Sequence, residues 1–112
     1  MLYYAADGCT TNEDSSFVDT NPPDYYSPDV AVAEISCCAL DGSSCTRYDS
    51  AGECWTGHDD TYKVTWTVAQ ETCADAGLRL CASQEELNQC CGAGCNYDNQ
   101  LVWTSLSYSS GN

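Results

Sequence analysis

The sequence predicts a small disulfide-rich α+β domain with two short helices, a small antiparallel sheet and long loops. Leu, Ile, Val and Phe make up only 15 of the 112 residues, below the roughly 20 % typical of chains that fold by apolar burial alone. Ten cysteines can supply covalent ties in place of a large core. Two helix-start signals stand among short apolar runs, which together favour the α+β class.

The cysteines are expected to pair into five disulfides, because their number is even and the apolar core is small. They are Cys9, Cys37, Cys38, Cys45, Cys54, Cys73, Cys81, Cys90, Cys91 and Cys95. Their spacing leaves the pairing open. Zinc binding is the alternative, but zinc sites favour paired C-x2-C spacings, and this chain has two adjacent doublets and one C-x3-C. A disulfide framework needs an oxidising compartment, so we expect a secreted or cell-surface protein.

The beginning of the chain is predicted to be an extended acidic arm. Residues 11–29 contain three prolines, five acids and few aliphatic side chains, a composition typical of irregular segments. Two tyrosine doublets, Tyr3-Tyr4 and Tyr25-Tyr26, would pack this arm onto the domain. The expected organisation is an arm over 1–29, a disulfide-rich domain over 30–106 and a flexible tail over 107–112.

Three short apolar runs predict the strands, because β-branched and aromatic residues are enriched in strands. They span residues 30–38, 61–66 and 100–106. Between the first two runs the chain is rich in Ser, Gly and Asp, and it is predicted to be a long loop pinned by Cys45 and Cys54.

Two capping boxes predict the helices, since Ser or Thr followed three residues later by Glu or Gln is typical of a helix start. Thr67 and Gln70 match this pattern, and Gly77 is a natural stop for the helix that follows. Ser83 and Glu86 match it again and predict a second, shorter helix.

The string VTWTVAQETCADAGLRLCASQEEL, residues 64–87, resembles the opening of a C-type lectin-like domain. In that family a Trp precedes a helix with Ala and Cys one turn apart, and a Gly-x-x-Leu turn and a Ser-x-x-Glu helix start follow. The matching positions are Trp66, Ala69, Cys73, Gly77, Leu80, Ser83 and Glu86. The run LVWTS, residues 101–105, looks like the central strand of that fold. The resemblance implies a reduced C-type lectin-like fold and a role in adhesion or carbohydrate binding.

Members of that family that bind sugar through calcium carry Glu-Pro-Asn or Gln-Pro-Asp together with Trp-Asn-Asp, and none of these strings occurs here. The long loop region after the central strand is also absent, so the resemblance does not imply the familiar calcium-dependent mode. The series SCC, DG, GLRLC, CCGAGC and DNQLVWTS is also similar to cysteine-rich modules of secreted or cell-surface proteins of microalgae.

The chain is strongly acidic, with 17 acidic residues against three basic ones and a formal net charge of −14. This charge repels phosphate backbones and anionic lipid head groups, and no apolar run approaches the length of a membrane span. We therefore expect neither nucleic-acid binding nor membrane insertion. The expected partner is a glycan or an extracellular protein, and self-assembly is the alternative.

The candidate ligand-binding residues lie in two polar loops. Asn96, Asp98 and Asn99 supply side-chain oxygens of the kind that calcium prefers, so they are candidate ligands for calcium, the one cofactor considered. An Asx-rich turn is the structural alternative, and the more favoured one. Trp55 is the aromatic residue most expected to stack on a sugar ring. The only histidine, His58, is interpreted as part of a solvated loop rather than a metal site.

The sequence predicts a binding protein rather than an enzyme. No Gly-x-Ser-x-Gly elbow accompanies the single histidine, and the acidic surroundings of the cysteines would raise thiol pKa values and oppose thiolate chemistry. The expected function is extracellular recognition or adhesion. The alternative is a structural subunit of an extracellular filament, coat or wall that assembles through its N-terminal arm.

Overall fold

Two short helices and two small antiparallel sheets form the described part of the protein, which confirms the predicted disulfide-rich α+β class. The computed structural model describes residues 1–10, 24–58, 61–98 and 100–108. The elements are β1 (Leu2–Asp7), β2 (Asp24–Tyr26), β3 (Cys37–Cys38), β4 (Cys45–Thr46), α1 (Trp66–Asp75), β5 (Arg79–Leu80), α2 (Gln84–Leu87) and β6 (Leu101–Tyr108), with a 3₁₀ turn at Asn88–Cys90.

The first sheet has the order β2-β1-β6, so the N-terminal strand lies in its middle. The sequence predicted an arm outside the core, but Ala5 and Ala6 are completely buried, and Ala5 lies opposite Trp103. The small side chain of Ala5 leaves room for the large indole of Trp103 in the first apolar cluster, while Ala6 packs in the second. No local pattern reveals this long-range fit. At the other end of the sheet, Ser107 and Tyr108, predicted as tail, belong to β6.

The second sheet has the order β4-β3-β5 and contains only two-residue strands. The predicted strand over 30–38 therefore pairs regularly only at Cys37–Cys38. Upstream of β3 the same run makes isolated bridges, from Ala33 to Val64 and from Glu34 to Val102. The predicted strand over 61–66 is reduced to the bridge at Val64. The segment before β3 thus passes between Val64 on one side and β6 on the other, and it does not extend either sheet.

Helix α1 begins two residues earlier than the sequence predicted. The side chain of Thr65, not Thr67, accepts the Val68 N–H at 3.2 Å and caps the helix. The predicted stop residue, Gly77, follows the C-cap Ala76 and adopts a positive φ of 76°. There the Leu78 N–H donates to the Cys73 carbonyl at 2.9 Å, the closing bond of a Schellman motif.

Helix α2 begins at the predicted cap, where the Ser83 hydroxyl accepts the Glu86 N–H at 3.1 Å. The Glu86 carboxylate accepts the Ala82 N–H at 2.7 Å. It also forms a two-pronged ion pair with Arg79, at 2.9 and 3.1 Å. Arg79 thereby has a structural role at the start of α2.

All ten cysteines form disulfides, as predicted. The pairs are Cys9–Cys91, Cys37–Cys73, Cys38–Cys81, Cys45–Cys90 and Cys54–Cys95. Every pair joins residues at least 36 positions apart. Each bridge lowers the chain entropy of the unfolded state and thereby stabilises the folded protein by about 3–4 kcal/mol. The doublet in β3 ties this strand to α1 on one side and to the residue after β5 on the other.

Two small apolar clusters fill the interior. The first surrounds the fully buried Trp103, and Tyr3 stacks on Trp66 at its edge with ring centroids 3.6 Å apart. The second contains Leu87, Tyr97 and Val102. Because β6 contributes to both clusters, it joins the two halves of the core.

Candidate functional site

The loop predicted to bind calcium is organised around an ion pair. Asp98 Oδ1 accepts a hydrogen bond from Arg47 Nη1 at 2.7 Å, and the Gly92 N–H approaches the same carboxylate at 3.2 Å. A guanidinium on this oxygen opposes a cation at the same atom. Asn96 is exposed and adopts a positive φ of 64°, typical of an Asx-rich turn. Asn99 lies outside the described residues, and calcium binding stays a prediction.

Arg47, which no pattern in the sequence singled out, is the centre of this arrangement. Its side chain is completely buried and donates to the carbonyls of Gly94 at 2.9 Å and Gly8 at 3.2 Å. The guanidinium lies over the Tyr97 ring, 5.7 Å from its centroid. A Cβ at Gly8 would meet the Tyr97 carbonyl oxygen at 1.9 Å, so the close approach of these segments requires glycine.

Trp55 is half-buried against the first apolar cluster. Its backbone N–H donates to the Arg47 carbonyl at 3.2 Å, and its backbone carbonyl accepts a hydrogen bond from the Tyr62 hydroxyl at 2.9 Å. Its role as a sugar-stacking residue stays a prediction, but part of its ring is used in packing. His58 is exposed, as predicted for a solvated loop, and the neighbouring Asp59 and Asp60 lie outside the described residues.

The two predicted site loops are nevertheless brought together. The Cys54–Cys95 disulfide joins them covalently. The buried Tyr97 hydroxyl accepts the Thr56 N–H at 2.8 Å and donates to the Gly57 carbonyl at 3.0 Å. Burial raises the pKa of Tyr97, and the nearby Glu34 raises it further. The loops therefore form one rigid unit, whose polar groups are largely used within the protein.

Glu34 is the most unusual ionisable group in the described structure. Its side chain is completely buried. Within the described residues its carboxyl oxygens make no hydrogen bond of normal geometry, although the Thr61 hydroxyl lies near enough to affect its pKa. Burial raises its pKa to about 7, although Lys63, the Thr61 hydroxyl and Arg47 each act to lower it. A buried carboxyl with a strongly shifted pKa is typical of sites whose function depends on binding or releasing a proton.

An aromatic surface lies on the first sheet. We define the tyrosine cluster as Tyr4, Tyr25 and Tyr108, whose neighbouring ring centroids are 4.9 and 5.6 Å apart. Tyr25 and Tyr108 are 38 % and 52 % exposed. Because adjacent strand residues point to opposite faces, Tyr3 and Tyr26 pack against the first apolar cluster, and Tyr4 and Tyr25 lie on the other face of the sheet. There Tyr4 is half-buried and also packs against the second apolar cluster. Alternation within the doublets is the sequence signal that could have found the cluster.

Comparisons with known proteins do not place the chain in a family. No family model, no curated protein and no solved structure matches it. The resemblances to C-type lectin-like domains and to microalgal modules therefore stay expectations. The coarser architecture, a small disulfide-rich α+β domain, is what the structure establishes.

An open polar depression of about 420 Å³ lies beside α2. It is lined by Gly42, Ser83, Glu85, Glu86 and Gln89. Glu86 is engaged by Arg79, and Gln89 Nε2 donates to the Gly42 carbonyl at 2.9 Å. Its main polar groups thus already serve the fold.

One group of cysteine sulfurs in the described residues has the spacing of a metal site. The sulfurs of Cys38, Cys45 and Cys81 lie close enough together to suggest a metal site, but all three are in disulfides and offer no thiolate. In the described part of the chain, the helices are too short or too polar to cross a membrane.

Proposed function

We propose that this protein is a secreted or cell-surface recognition module that binds neutral glycan chains through the tyrosine cluster. The observation that carries the proposal is the row of three neighbouring tyrosine rings, spaced 4.9 and 5.6 Å apart, on the surface of a braced sheet. The five disulfides support an extracellular location, because such bonds persist in oxidising compartments.

The chemistry of the cluster suits sugars. A tyrosine offers an apolar ring face and a hydroxyl, so it can pack against the C–H groups of a sugar and also hydrogen-bond its hydroxyls. The net charge of −14 disfavours acidic glycans and acidic proteins through repulsion. Neutral glycans are the class that combines ring stacking with no charge penalty.

The cluster is also held in place before any ligand arrives. Tyr4 lies in β1, the middle strand of its sheet, and Tyr25 pairs with it across the strands. The Thr104 hydroxyl donates to the Tyr4 carbonyl at 2.7 Å. A surface that is already ordered loses little conformational entropy on binding, which favours recognition over a small area.

The direct test is a neutral-glycan array followed by calorimetry on the oxidised protein. We expect Tyr25→Ala and Tyr108→Ala each to weaken binding about tenfold, equivalent to about 1.4 kcal/mol. Tyr48→Ala is the matched control, because Tyr48 is a similarly exposed tyrosine, at 36 %, outside the cluster. Equal loss in the control, or no binding of neutral glycans by the wild-type protein, would overturn the proposal.

Repeating the calorimetry with calcium and with a chelator separates this mode from the predicted loop site. Binding through the tyrosine cluster is expected to be indifferent to calcium. A requirement for calcium, lost in Asp98→Asn, would move the site to the 91–100 loop and contradict the tyrosine proposal.

Assembly through the N-terminal arm is the competing function. In the structure β1 is paired on both edges, by β2 and β6, so residues 2–7 would have to leave their own sheet to join a neighbour. We therefore expect a monomer by size-exclusion chromatography with light scattering. A concentration-dependent polymer would favour the structural subunit instead.

A further inference from the structure

We propose that Glu34 acts as a proton-dependent latch: its protonated side chain lets residues 61–64 close over the interior, and its ionisation opens that segment to water. This role of Glu34 is independent of glycan binding. Neither the fold nor the tyrosine cluster explains why an acid is buried at this position.

The backbone of Glu34 cannot move to relieve an ionised side chain. Its N–H donates to the Leu101 carbonyl at 2.9 Å, and its carbonyl accepts the Trp103 N–H at 3.0 Å. Both partners belong to β6, which joins the two apolar clusters. Since Glu34 is fixed to the buried half of β6, water can reach its carboxyl only if a covering segment moves.

Residues 61–64 are the segment best suited to move. No cysteine lies between Cys54 and Cys73, so no disulfide ties this segment directly. Its backbone is attached at few points: the Val64 N–H donates to the Ala33 carbonyl at 2.9 Å, and the Val64 carbonyl accepts Trp103 Nε1 at 2.8 Å. The Tyr62 N–H donates to the Thr56 carbonyl at 3.0 Å. Segments with few such attachments open locally at lower free energy than the core.

The charged and titratable groups around Glu34 do not neutralise it. Lys63 donates to the neutral Gln100 at 2.7 Å. Arg47 gives its terminal nitrogens to Asp98 and to backbone carbonyls. Tyr97, also coupled to Glu34, stays uncharged because its own pKa is raised. Burial therefore outweighs both cations.

The sign of the pH dependence follows from this balance. The pKa of Glu34 is about 7 in the closed protein against an ordinary 4.5, so the closed state binds the proton more tightly than the open state. Closure is fully stable below about pH 4.5 and is lost as pH rises through 7. The opening equilibrium constant is expected to rise by up to about tenfold per pH unit in this range and to level off above it.

Amide hydrogen exchange on the oxidised protein between pH 5 and 8 tests the latch. After correction for intrinsic rates, protection at Tyr62 and Val64 is expected to fall with pH and to stay below that of Trp103 at every pH, because Trp103 exchanges only when the core unfolds. Glu34→Gln should abolish the fall. Glu85→Gln, which removes an exposed carboxyl, should leave it unchanged. A fall that persists in Glu34→Gln, or protection at Tyr62 and Val64 as strong as that at Trp103, would overturn the proposal.

A second measurement needs no variant. Carboxyl carbon NMR on the wild-type protein is expected to show Glu34 titrating near neutral pH. Titration near the ordinary value of 4.5 would overturn the latch even if Glu34→Gln failed to fold.

Discussion

Asp98 and Glu34 differ in how their charge is balanced. Asp98, whose side chain is 25 % exposed, has a buried guanidinium 2.7 Å away. Glu34 is completely buried, and its carboxyl oxygens make no hydrogen bond of normal geometry among the described residues. The chain has 17 acids and only three bases, so the bases can pair with few of the acids. The comparison teaches that a base balances an acid only where the fold brings the two into direct contact.

The largest expected effect comes from removing the balance at Asp98. Arg47→Met should destabilise the oxidised protein by about 3–5 kcal/mol, because breaking a buried pair leaves a charge and several carbonyls without their donor. Denaturant unfolding at pH 7 measures this effect. The double variant Arg47→Met with Asp98→Asn should recover part of the loss, and failure to recover any would show that packing, not charge, dominates.

A smaller effect of opposite sign is expected at Glu34. At pH 8 Glu34→Gln should be more stable than the wild-type protein by about 3 kcal/mol, because it removes an ionisation that opposes folding. At pH 4.5 the advantage should vanish, since Glu34 is protonated there. Unfolding curves across this range should therefore converge at low pH, and parallel curves would contradict the shifted pKa.

The smallest effect is expected at the half-exposed pair of Arg79 and Glu86, whose side chains are 30 % and 22 % exposed. The hydrogen bond from Arg79 lowers the pKa of Glu86, so the stabilisation from this pair is present at neutral pH and is lost as pH falls below the ordinary value of 4.5. Glu86→Gln should cost about 0.5–1 kcal/mol at pH 7, and less in about 1 M salt. Glu85→Gln is the neighbouring control, and equal losses in both variants would remove the pair's role.

Local signals in the sequence predicted the elements that depend on local chemistry. The Ser83 cap, the Gly77 stop and the apolar run that became β6 all follow from short patterns. Disulfide formation followed from composition, but its pairing did not, because ten cysteines leave many connectivities open. The cap at Thr65 was missed because Thr67 has a Gln at the expected spacing, and the tertiary contacts of Trp66 draw the helix start earlier.

The candidate site depended on long-range placement and was therefore harder to predict. Arg47 and Asp98 are 51 residues apart in sequence, and no spacing rule joins them. The role of β1 was missed because Ala5 and Ala6 carry little hydrophobic pattern. Glu34 did leave a signal: it is the only charged residue in the apolar run VAVAEISCC, which predicts burial on both faces.

The two cysteine doublets have a consequence for how the protein acquires its bonds. Exchanging Cys90 and Cys91 between Cys9 and Cys45 would change loops of 82 and 45 residues by one residue each. Loop-closure entropy varies only logarithmically with length, so it cannot distinguish native from exchanged pairs. Oxidative refolding should therefore begin with non-native disulfide isomers. The native isomer should predominate only after local structure has oriented the adjacent thiols in different directions. A disulfide isomerase would speed that sorting without altering its outcome.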